Sequence, residues 1–372
     1  MDVVTLLKQM ADKGASDLFF SVGTKPQMKI QGVTVPVSDI ALTSADMSEI
    51  VSSIMNDTQR KEFDATMELN MALSVENVGR YRVNVFRERG EVAIVVRFII
   101  GVIPSFSELH LPEILSTLVV EQRGLILVVG ATSSGKSTTL AAMIDYRNSN
   151  YSGHILTIED PIEYMHTHKK SIVDQREVGI DTLSYNNALK NAMREAPDVI
   201  FIGEIRDRET MKQAIVYAET GHLCLSTLHA NNANQAMERV INFFPEEARS
   251  QLLLDLSLNL RAIIALRLIP GINQQTRVPA VEILLNTPYI SDLIAQGKID
   301  EIKDVMSRGG EKGMITFDQA LIDLHKSGKI SKENAIRYAD SKNNVGLSIR
   351  FSEDVGKRSG GNDLQIQPES KE

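Results

Sequence analysis

One loop constrains the fold of this chain more than any other feature, because it requires a strand before it and a helix after it. Leu125–Val129 is an apolar, largely β-branched run, which is typical of a buried parallel strand. Behind the loop, Leu140, Met143 and Ile144 recur at helical spacing. The loop itself has the pattern Gly-x-x-x-x-Gly-Lys-Ser, and its residues are Gly130, Ala131, Thr132, Ser133, Ser134, Gly135, Lys136, Ser137 and Thr138.

This pattern is the P-loop, which binds nucleoside triphosphates. Backbone N–H groups and the positive end of the helix dipole meet phosphate oxygens there. The two glycines allow the tight turn and the close approach of the backbone. Lys136 can reach the β- and γ-phosphates, and Ser137 can ligate Mg²⁺. We therefore predict that residues 130–138 bind a nucleoside triphosphate together with Mg²⁺.

The composition is that of a soluble globular protein of about two domains. Of the 372 residues, 43% are hydrophobic and 24% are charged. The net charge is −8 and no basic block occurs, which argues against nucleic acid as the main partner because binding it needs clustered Lys and Arg. The single cysteine, Cys224, excludes an internal disulfide and a cysteine-based metal cluster. With no signal-peptide core and no membrane-length apolar run, we predict a cytoplasmic protein.

The pattern along the chain changes near residue 100. Residues 1–99 predict a small α+β domain, with helices at 2–13, 43–54 and 58–63 and strands at 17–22, 26–30, 69–75, 79–87 and 91–99. Thr43 is a candidate helix cap with Asp46 at the third helical position, and residues 87–90 fit a hairpin turn. Residues 101–105 have the composition of a linker.

From Leu111 onward strands alternate with helices, which predicts a parallel sheet. The strands are predicted at 125–129, 155–158, 199–202 and 223–228, and the helices at 136–146, 185–195, 208–219 and 234–243. The apolar stretch 246–266 is predicted to be helical, with a hairpin at 266–269 and 278–284. Residues 287–338 are predicted to form three or four helices, and the polar tail from Gly356 is predicted to be disordered.

Two acidic stretches follow predicted strands. The first contains Glu159, Asp160 and Glu163, and the second is an apolar strand that ends at Glu204 in the Walker B form. Because carboxyl ends of strands face the ligand crevice in a doubly wound sheet, these carboxylates can hold Mg²⁺ or activate an attacking water. Glu204 is predicted beside Ser137 and the metal ion.

Two histidines, His222 and His229, flank the predicted strand 223–228. A separation of seven residues along a strand is roughly 23 Å at about 3.3 Å per residue, which disfavours a shared metal site. His229, at the carboxyl end of the strand, is the better placed of the two to touch phosphate or a carboxylate.

In this order, the four stretches resemble the secretion and type IV pilus ATPase superfamily (GspE/PilT), from about residue 1 to residue 340. The matching segments are GATSSGKST, TIEDPIEY, DVIFIGEIRD and TGHLCLSTLH. The opening SDLFFSVGTKPQMKIQG resembles the PAS-like domain of the pilus-retraction members, and the four-cysteine zinc insert of assembly members is absent. The segments LSLNLRAIIALRLIP and YADSKNNVGLSIRF resemble the accessory members of that retraction branch.

The resemblance implies an α/β fold with a RecA-like P-loop ATPase core, a smaller PAS-like N-terminal domain and a C-terminal helical region. The implied boundaries are 1–100 for the N-terminal domain, 101–110 for a linker, 111–285 for the core, 286–355 for the helical region and 356–372 for the tail. It also implies a homo-hexamer at the inner-membrane base of the pilus machine, with a PilT-like retraction ATPase and a PilC-like platform protein as partners.

For the site, the resemblance implies that Glu163 polarises the attacking water and that Glu204 supports Mg²⁺. It implies that His222 and His229 sense the nucleotide state. The match to the segment GRYRVNVF places Arg80 and Arg82 among the candidate phosphate-directed arginines, with Arg97 as a further candidate.

Three functions are compatible with these motifs. The favoured one is a ring motor that converts ATP hydrolysis into domain rotation during pilus retraction and twitching motility. The second is a RecA-type nucleic-acid translocase, which the acidic balance opposes. The third is a ring subunit that holds nucleotide and a partner motor but turns over little. Intact Lys136, Glu163 and Glu204 favour an enzyme.

Overall fold

The structure is a computed structural model that describes residues 2–30, 32–76, 78–99, 101–273, 276–308 and 312–359, with the side chains of 352–359 excepted. Its internal contacts divide the chain into two units. The first unit contains the chain up to Pro104 together with Ile144–Glu204, and the second contains Ser105–Met143 together with the chain from Ile205 onward. Each unit is described by itself below.

The N-terminal part of the first unit is an α+β structure, as predicted. Its elements are α1 (Val3–Asp12), β1 (Ala15–Ser21), β2 (Gln27–Ile30), β3 (Val33–Pro36), α2 (Ser44–Ile54), α3 (Asp57–Thr66), β4 (Glu68–Val75), β5 (Gly79–Glu88) and β6 (Glu91–Ile99). The six strands form an antiparallel sheet in the order β3-β2-β1-β6-β5-β4. Its core is built from leucine, methionine, valine and a few aromatic side chains, among them Leu7, Met10, Leu18 and Phe20.

Two local predictions in this part are confirmed. Thr43 caps α2 in a capping box, in which Asp46 N donates to Thr43 Oγ1 and Thr43 N donates to Asp46 Oδ2. The turn between β5 and β6 places Arg89 and Gly90 at positive φ, a backbone twist that suits a two-residue hairpin.

The remaining elements up to residue 285 are strands interspersed with helices. They are α4 (Ile114–Leu118), β7 (Gly124–Val129), α5 (Lys136–Asn150), β8 (Gly153–Glu159), β9 (Ser171–Glu177), α6 (Tyr185–Ala192) with a 3₁₀ turn (Met193–Glu195), β10 (Val199–Ile202), α7 (Arg208–Glu219), β11 (Leu223–Leu228), α8 (Ala233–Asn242), α9 (Glu246–Asn259), β12 (Leu260–Pro270) and β13 (Arg277–Leu285). The helices α10 (Pro288–Ala295), α11 (Ile299–Ser307), α12 (Phe317–Lys326), α13 (Lys332–Arg337) and α14 (Lys342–Ser359) follow.

Parallel strands occur in both units after residue 104, which confirms the predicted α/β class. In the first unit, β8 pairs in parallel with β10 on one side and with β9 on the other. In the second unit, β7 pairs in parallel with β11 and β12, and β13 completes an antiparallel pair with β12. Every residue of β7 and β11, including Cys224, is buried, as expected for parallel strands that are covered on both faces.

The predicted helix at 246–266 is wrong beyond Asn259. There α9 ends, and Leu260 begins the strand β12, whose residues pair with both β7 and β13. An apolar run that is buried on every side has no periodicity to separate helix from strand. The strand β9 was not predicted either, because four polar residues, 174–177, interrupt its apolar pattern.

The predicted helices of residues 287–338 are confirmed as α10 to α13. Helix α14 continues to Ser359, past Gly356, where the predicted tail begins. Lys357 and Arg358 are good helix formers, and no proline interrupts the helix there. The predicted disorder of residues 360–372 lies outside the described residues, and the predicted domain boundaries stay predictions. Among the described helices, none is both long and apolar enough to span a membrane.

Candidate functional site

The P-loop connects β7 to α5 in the second unit. Its two glycines are required for different structural reasons. A Cβ atom at Gly130 would lie 2.2 Å from Ser134 Oγ and 2.8 Å from the carbonyl oxygen of Leu266. Gly135 has φ of 96°, in the left-handed region that side chains disfavour. The loop therefore depends on close backbone approach at one glycine and on backbone conformation at the other.

Lys136 is the first residue of α5 and folds back over the loop. Its Nζ donates to the carbonyl oxygens of Gly130 and Ala131, at 2.8 and 2.9 Å, and the residue is 9% exposed. The buried Ser134 Oγ has no hydrogen-bond partner among the described residues. An orphaned hydroxyl, a buried cation and the N-terminus of a 15-residue helix together suit the phosphate groups of a nucleotide.

A pocket of about 690 Å³ lies beside the start of the P-loop. Because β11 and β7 are parallel, with Leu228 opposite Val129, His229 comes next to Gly130, and both line this pocket. Arg239 of α8 lines it too and was not predicted. The sequence feature that could have identified Arg239 is the polar face of α8, the helix that directly follows the histidine motif.

His222 lies at the other end of the same strands. Its carbonyl oxygen accepts from Gly124 N at 3.0 Å, and its Nδ1 is 3.1 Å from Thr220 Oγ1 and 3.2 Å from the carbonyl oxygen of Tyr217. Gly124 begins β7, whereas the P-loop follows its end. The structure therefore brings His229 to the P-loop of this chain and leaves His222 at the opposite edge. The predicted sensing roles of both histidines stay predictions.

The two acidic stretches meet in the first unit. Strands β8 and β10 are parallel, with Ile158 opposite Ile202, so Glu159 and the half-buried Glu204 follow neighbouring strand ends. Gly203 N donates to the carbonyl oxygen of Ile158 at 2.8 Å. A Cβ atom at Gly203 would lie 3.2 Å from Glu159 Cα. The glycine before Glu204 therefore lets the two acidic strand ends approach closely.

Glu159 and Glu163 differ sharply in environment. Glu159 is 8% exposed, and its Oε1 accepts from Thr157 Oγ1 at 2.7 Å and from Gln175 Nε2 at 3.2 Å. Burial raises the pKa of Glu159 to about 7, and the nearby charge of Glu163 adds to the rise, while the hydrogen bonds from Thr157 and Gln175 oppose it. Glu163 is exposed on the loop that follows β8. One carboxyl is thus held inside the strand end, and the other projects into solvent.

The three N-terminal arginines lie on one face of the antiparallel sheet. Arg80 and Arg82 are two residues apart on β5, and Arg97 of β6 is paired opposite Arg82. Arg97 Nε is 2.8 Å from Asp17 Oδ1, and Arg80 Nη2 is 3.9 Å from Asp181 Oδ2. Their phosphate-directed role stays a prediction.

Glu177 also interacts electrostatically with the arginines of this face. Burial raises the pKa of Glu177, and the charges of Arg80 and Arg82 oppose that rise. Within the first unit, the arginine-bearing face is therefore electrostatically matched to the acidic residues at 177 and 181.

A ready-made metal centre is not found in the part of the chain that the structure describes, where no three His, Cys, Asp or Glu residues are grouped to hold an ion. Mg²⁺ is ordinarily held by one or two protein ligands together with water and substrate phosphates. Ser137 and Glu204 therefore stay the predicted ligands.

A buried strand leading through a P-loop into a helix, with acids at neighbouring parallel strand ends, defines a P-loop ATPase. The chain belongs to the family described as type II/IV secretion system protein, which matches residues 5–336. It is 52% identical to the type IV pilus ATPase PilU of Pseudomonas aeruginosa, over 94% of this chain and 92% of the relative. These findings confirm the resemblance to the retraction branch of the secretion ATPases.

Two further comparisons agree. The chain is 42% identical to the type IV pilus retractation ATPase PilT of Pseudomonas aeruginosa, over 90% of this chain and 97% of the relative. A crystal structure of the pilus retraction motor PilT with bound ADP has a TM-score of 0.85 at 41% identity, covering 92% of this chain and 98% of that one. The shared fold thus extends over nearly the whole of both chains.

Proposed function

We propose that this chain is an ATP-hydrolysing motor subunit that powers or assists type IV pilus retraction. The observation that carries the proposal is the combination of an intact P-loop and acidic strand ends with 52% identity to PilU along 94% of the chain. The bound ADP in the related PilT structure supports ATP as the ligand of residues 130–138.

In this proposal, each charged residue has one task. Lys136 turns from the carbonyl oxygens of Gly130 and Ala131 to the β- and γ-phosphates. Glu163 accepts a hydrogen bond from the attacking water and orients it, while Ser137 and Glu204 provide oxygen ligands on the metal side. Mg²⁺, when bound, neutralises the charge that develops on the phosphates. The cation at Lys136 is already placed at the loop by its two carbonyl partners.

The assembly that we propose is a homo-hexamer at the inner-membrane base of the pilus machine, acting with a PilT-like retraction ATPase and a PilC-like platform protein. Similarity to PilU and PilT over nearly the full chain supports a shared mode of assembly. In such a ring, Arg80, Arg82 or Arg97 supplies positive charge to the γ-phosphate, from the same subunit or from the next.

A second candidate is an accessory ring subunit that binds nucleotide, turns over little and acts through a PilT-like motor. Two observations favour it: the segments LSLNLRAIIALRLIP and YADSKNNVGLSIRF resemble the accessory members of the retraction branch, and the identity to PilU is higher than that to PilT, 52% against 42%. Both candidates use the same P-loop, and they differ in the rate of the chemical step.

Steady-state ATPase measurements on the purified full chain separate the two candidates. Turnover by the chain alone, lost in Lys136→Ala, supports a motor in its own right. Turnover that appears only with the PilT-like partner and depends on Lys136 of this chain supports the accessory role. Absence of nucleotide binding in calorimetry would overturn both.

A further inference from the structure

The loop that carries Glu163 is held by a side chain that no motif identified. Residues 160–166 leave the end of β8, and Gln175 lies on the neighbouring edge strand β9. Gln175 Nε2 donates to the carbonyl oxygen of Tyr164 at 2.9 Å and to Glu159 Oε1 at 3.2 Å. Gln175 Oε1 accepts from His166 N at 2.8 Å.

These three hydrogen bonds lie on both sides of Glu163. Glu159 precedes it, while Tyr164 and His166 follow it, so one amide group joins the two ends of a short loop. The amide side chain supplies two donated hydrogen bonds and one acceptor at once; a carboxylate lacks the donors and an ammonium lacks the acceptor. Gln175 therefore ties the backbone that follows Glu163 to the Glu159 side chain that precedes it, although the Glu163 side chain itself is exposed. Before Glu163, the backbone has a partner of its own, since Ile162 N donates to Glu177 Oε2 at 3.4 Å.

We propose that Gln175 is a positioning residue for ATP hydrolysis: it holds the loop of Glu163 where that carboxylate can orient the attacking water. The inference rests on the proposed function of Glu163. A residue that handles the attacking water must lie within hydrogen-bond reach of it, and a misplacement of about 1 Å can cost on the order of 10²-fold in rate. Gln175 acts through Glu163 and touches no substrate itself.

A second amide in the same segment provides a matched control. Asn148 is fully buried; its Nδ2 donates to the carbonyl oxygen of Thr167 at 2.7 Å, and its Oδ1 accepts from Lys169 N at 3.1 Å. It therefore holds the far end of the loop, beyond the bonds of Gln175. A role limited to folding predicts that loss of either amide has the same consequence, whereas a positioning role distinguishes them.

The test is a double-mutant cycle in the full-length chain, read by single-turnover hydrolysis of radiolabelled ATP. Gln175→Ala is expected to lower the hydrolysis rate by about 10- to 10²-fold, with the Kd for ATP changed less than twofold. In the Glu163→Gln background, the same substitution is expected to lower the rate no further, because a residue that acts only through Glu163 has nothing left to position. Asn148→Ala is expected to lower Tm yet leave the rate within about threefold.

An equal loss of rate from Gln175→Ala in both backgrounds, or an equal loss from Asn148→Ala, would overturn the inference. Gln175→Leu, which nearly keeps the size of the side chain but can make none of the three hydrogen bonds, is the variant to use if the alanine substitution does not fold; unchanged hydrolysis by it overturns the inference as well. Retained turnover in Glu163→Gln alone would instead show that the proposed role of Glu163 is wrong, which separates the two failures.

Discussion

The P-loop region and the acidic region of this chain are built in opposite ways. The P-loop region, residues 124–143, forms its binding surface from backbone: Gly130 is required by a close contact, Gly135 by its φ, and Lys136 rests on two carbonyl oxygens. The acidic region, residues 153–177 with 199–204, forms its surface from carboxylates held by other side chains, such as Glu159 held by Thr157 and Gln175.

This difference indicates that the P-loop region serves nucleotide binding and the acidic region serves the chemical step. A surface of backbone N–H groups binds phosphate whether or not the reaction proceeds, whereas a placed carboxylate matters chiefly when water attacks. Substitutions in the P-loop region should therefore affect binding and turnover together, and conservative substitutions in the acidic region should affect turnover alone. Four experiments test this difference.

The largest effect is expected from Lys136→Ala in the P-loop region. Loss of the cation at the loop should abolish detectable hydrolysis and weaken ATP binding as well, because the same charge serves ground state and transition state. Steady-state ATPase assays and calorimetry measure the two effects. Lys190→Ala, an exposed lysine on α6, is the control. Normal turnover by Lys136→Ala would show that the P-loop is not the nucleotide site.

A smaller but still severe effect is expected from Arg82→Ala, on the arginine-bearing sheet face outside both regions. An arginine directed at the γ-phosphate contributes roughly 10³- to 10⁵-fold to kcat in NTPases. Arg89→Ala is the matched control, because the Arg89 side chain is 91% exposed. In mixed rings with wild-type chains, Arg82→Ala should depress ATPase activity by more than its mole fraction. Strictly proportional loss would show that each site works alone.

Glu163→Gln and Glu204→Gln test the acidic region directly. Each should lower kcat by on the order of 10²-fold or more, since general-base and charge-stabilising contributions are of that size. Each should keep the Kd for ATP, because the backbone of the P-loop region is unchanged. Calorimetry beside single-turnover kinetics checks this separation. If a folded variant loses ATP binding, that glutamate contributes to nucleotide binding and not to turnover alone.

The last effect is expected in stability rather than in activity. The pKa of Glu159 rises from its ordinary value of 4.5 to about 7 in the folded chain. Between these pH values the folded state holds a proton that the unfolded state has released, so the free energy of unfolding should fall as pH rises through this window. The total change is on the order of 3 kcal/mol.

Glu159→Gln removes that titration, and its free energy of unfolding should therefore depend less on pH. Urea unfolding of the ligand-free protein at pH 5 and pH 7.5 measures the difference. The exposed Glu238→Gln is expected to keep the wild-type slope. Equal slopes in wild type and Glu159→Gln would show that Glu159 is already ionised at pH 5.

The strand, loop and helix of the P-loop region were predictable, because a buried apolar run, two glycines and apolar residues at helical spacing follow one another within about 20 residues. The capping box at Thr43 and the hairpin turn at Arg89 and Gly90 were predictable for the same reason. In each case the residues that determine the structure are neighbours in the chain.

The failures share a different cause. The run from Leu260 is strand because β7 and β13 pair with it, and neither partner is adjacent to its first residues in sequence. Strand β9 has a polar second half, and its pairing with β8 makes it a strand. The role of Gln175 could not be predicted from local sequence for the same reason, because its three hydrogen-bond partners lie nine to sixteen residues away.

The α/β class, the P-loop and the order of the four motifs follow from the amino-acid sequence, because local hydrophobic periodicity and glycine placement suffice for these. Tertiary structure alone decided that His229 and not His222 reaches the P-loop, since that depends on the parallel register of β11 with β7. It also decided that Glu159 is buried while Glu163 is exposed. Burial and strand register are properties of paired segments, and the chemistry of a carboxylate follows from its surroundings more than from its position in the chain.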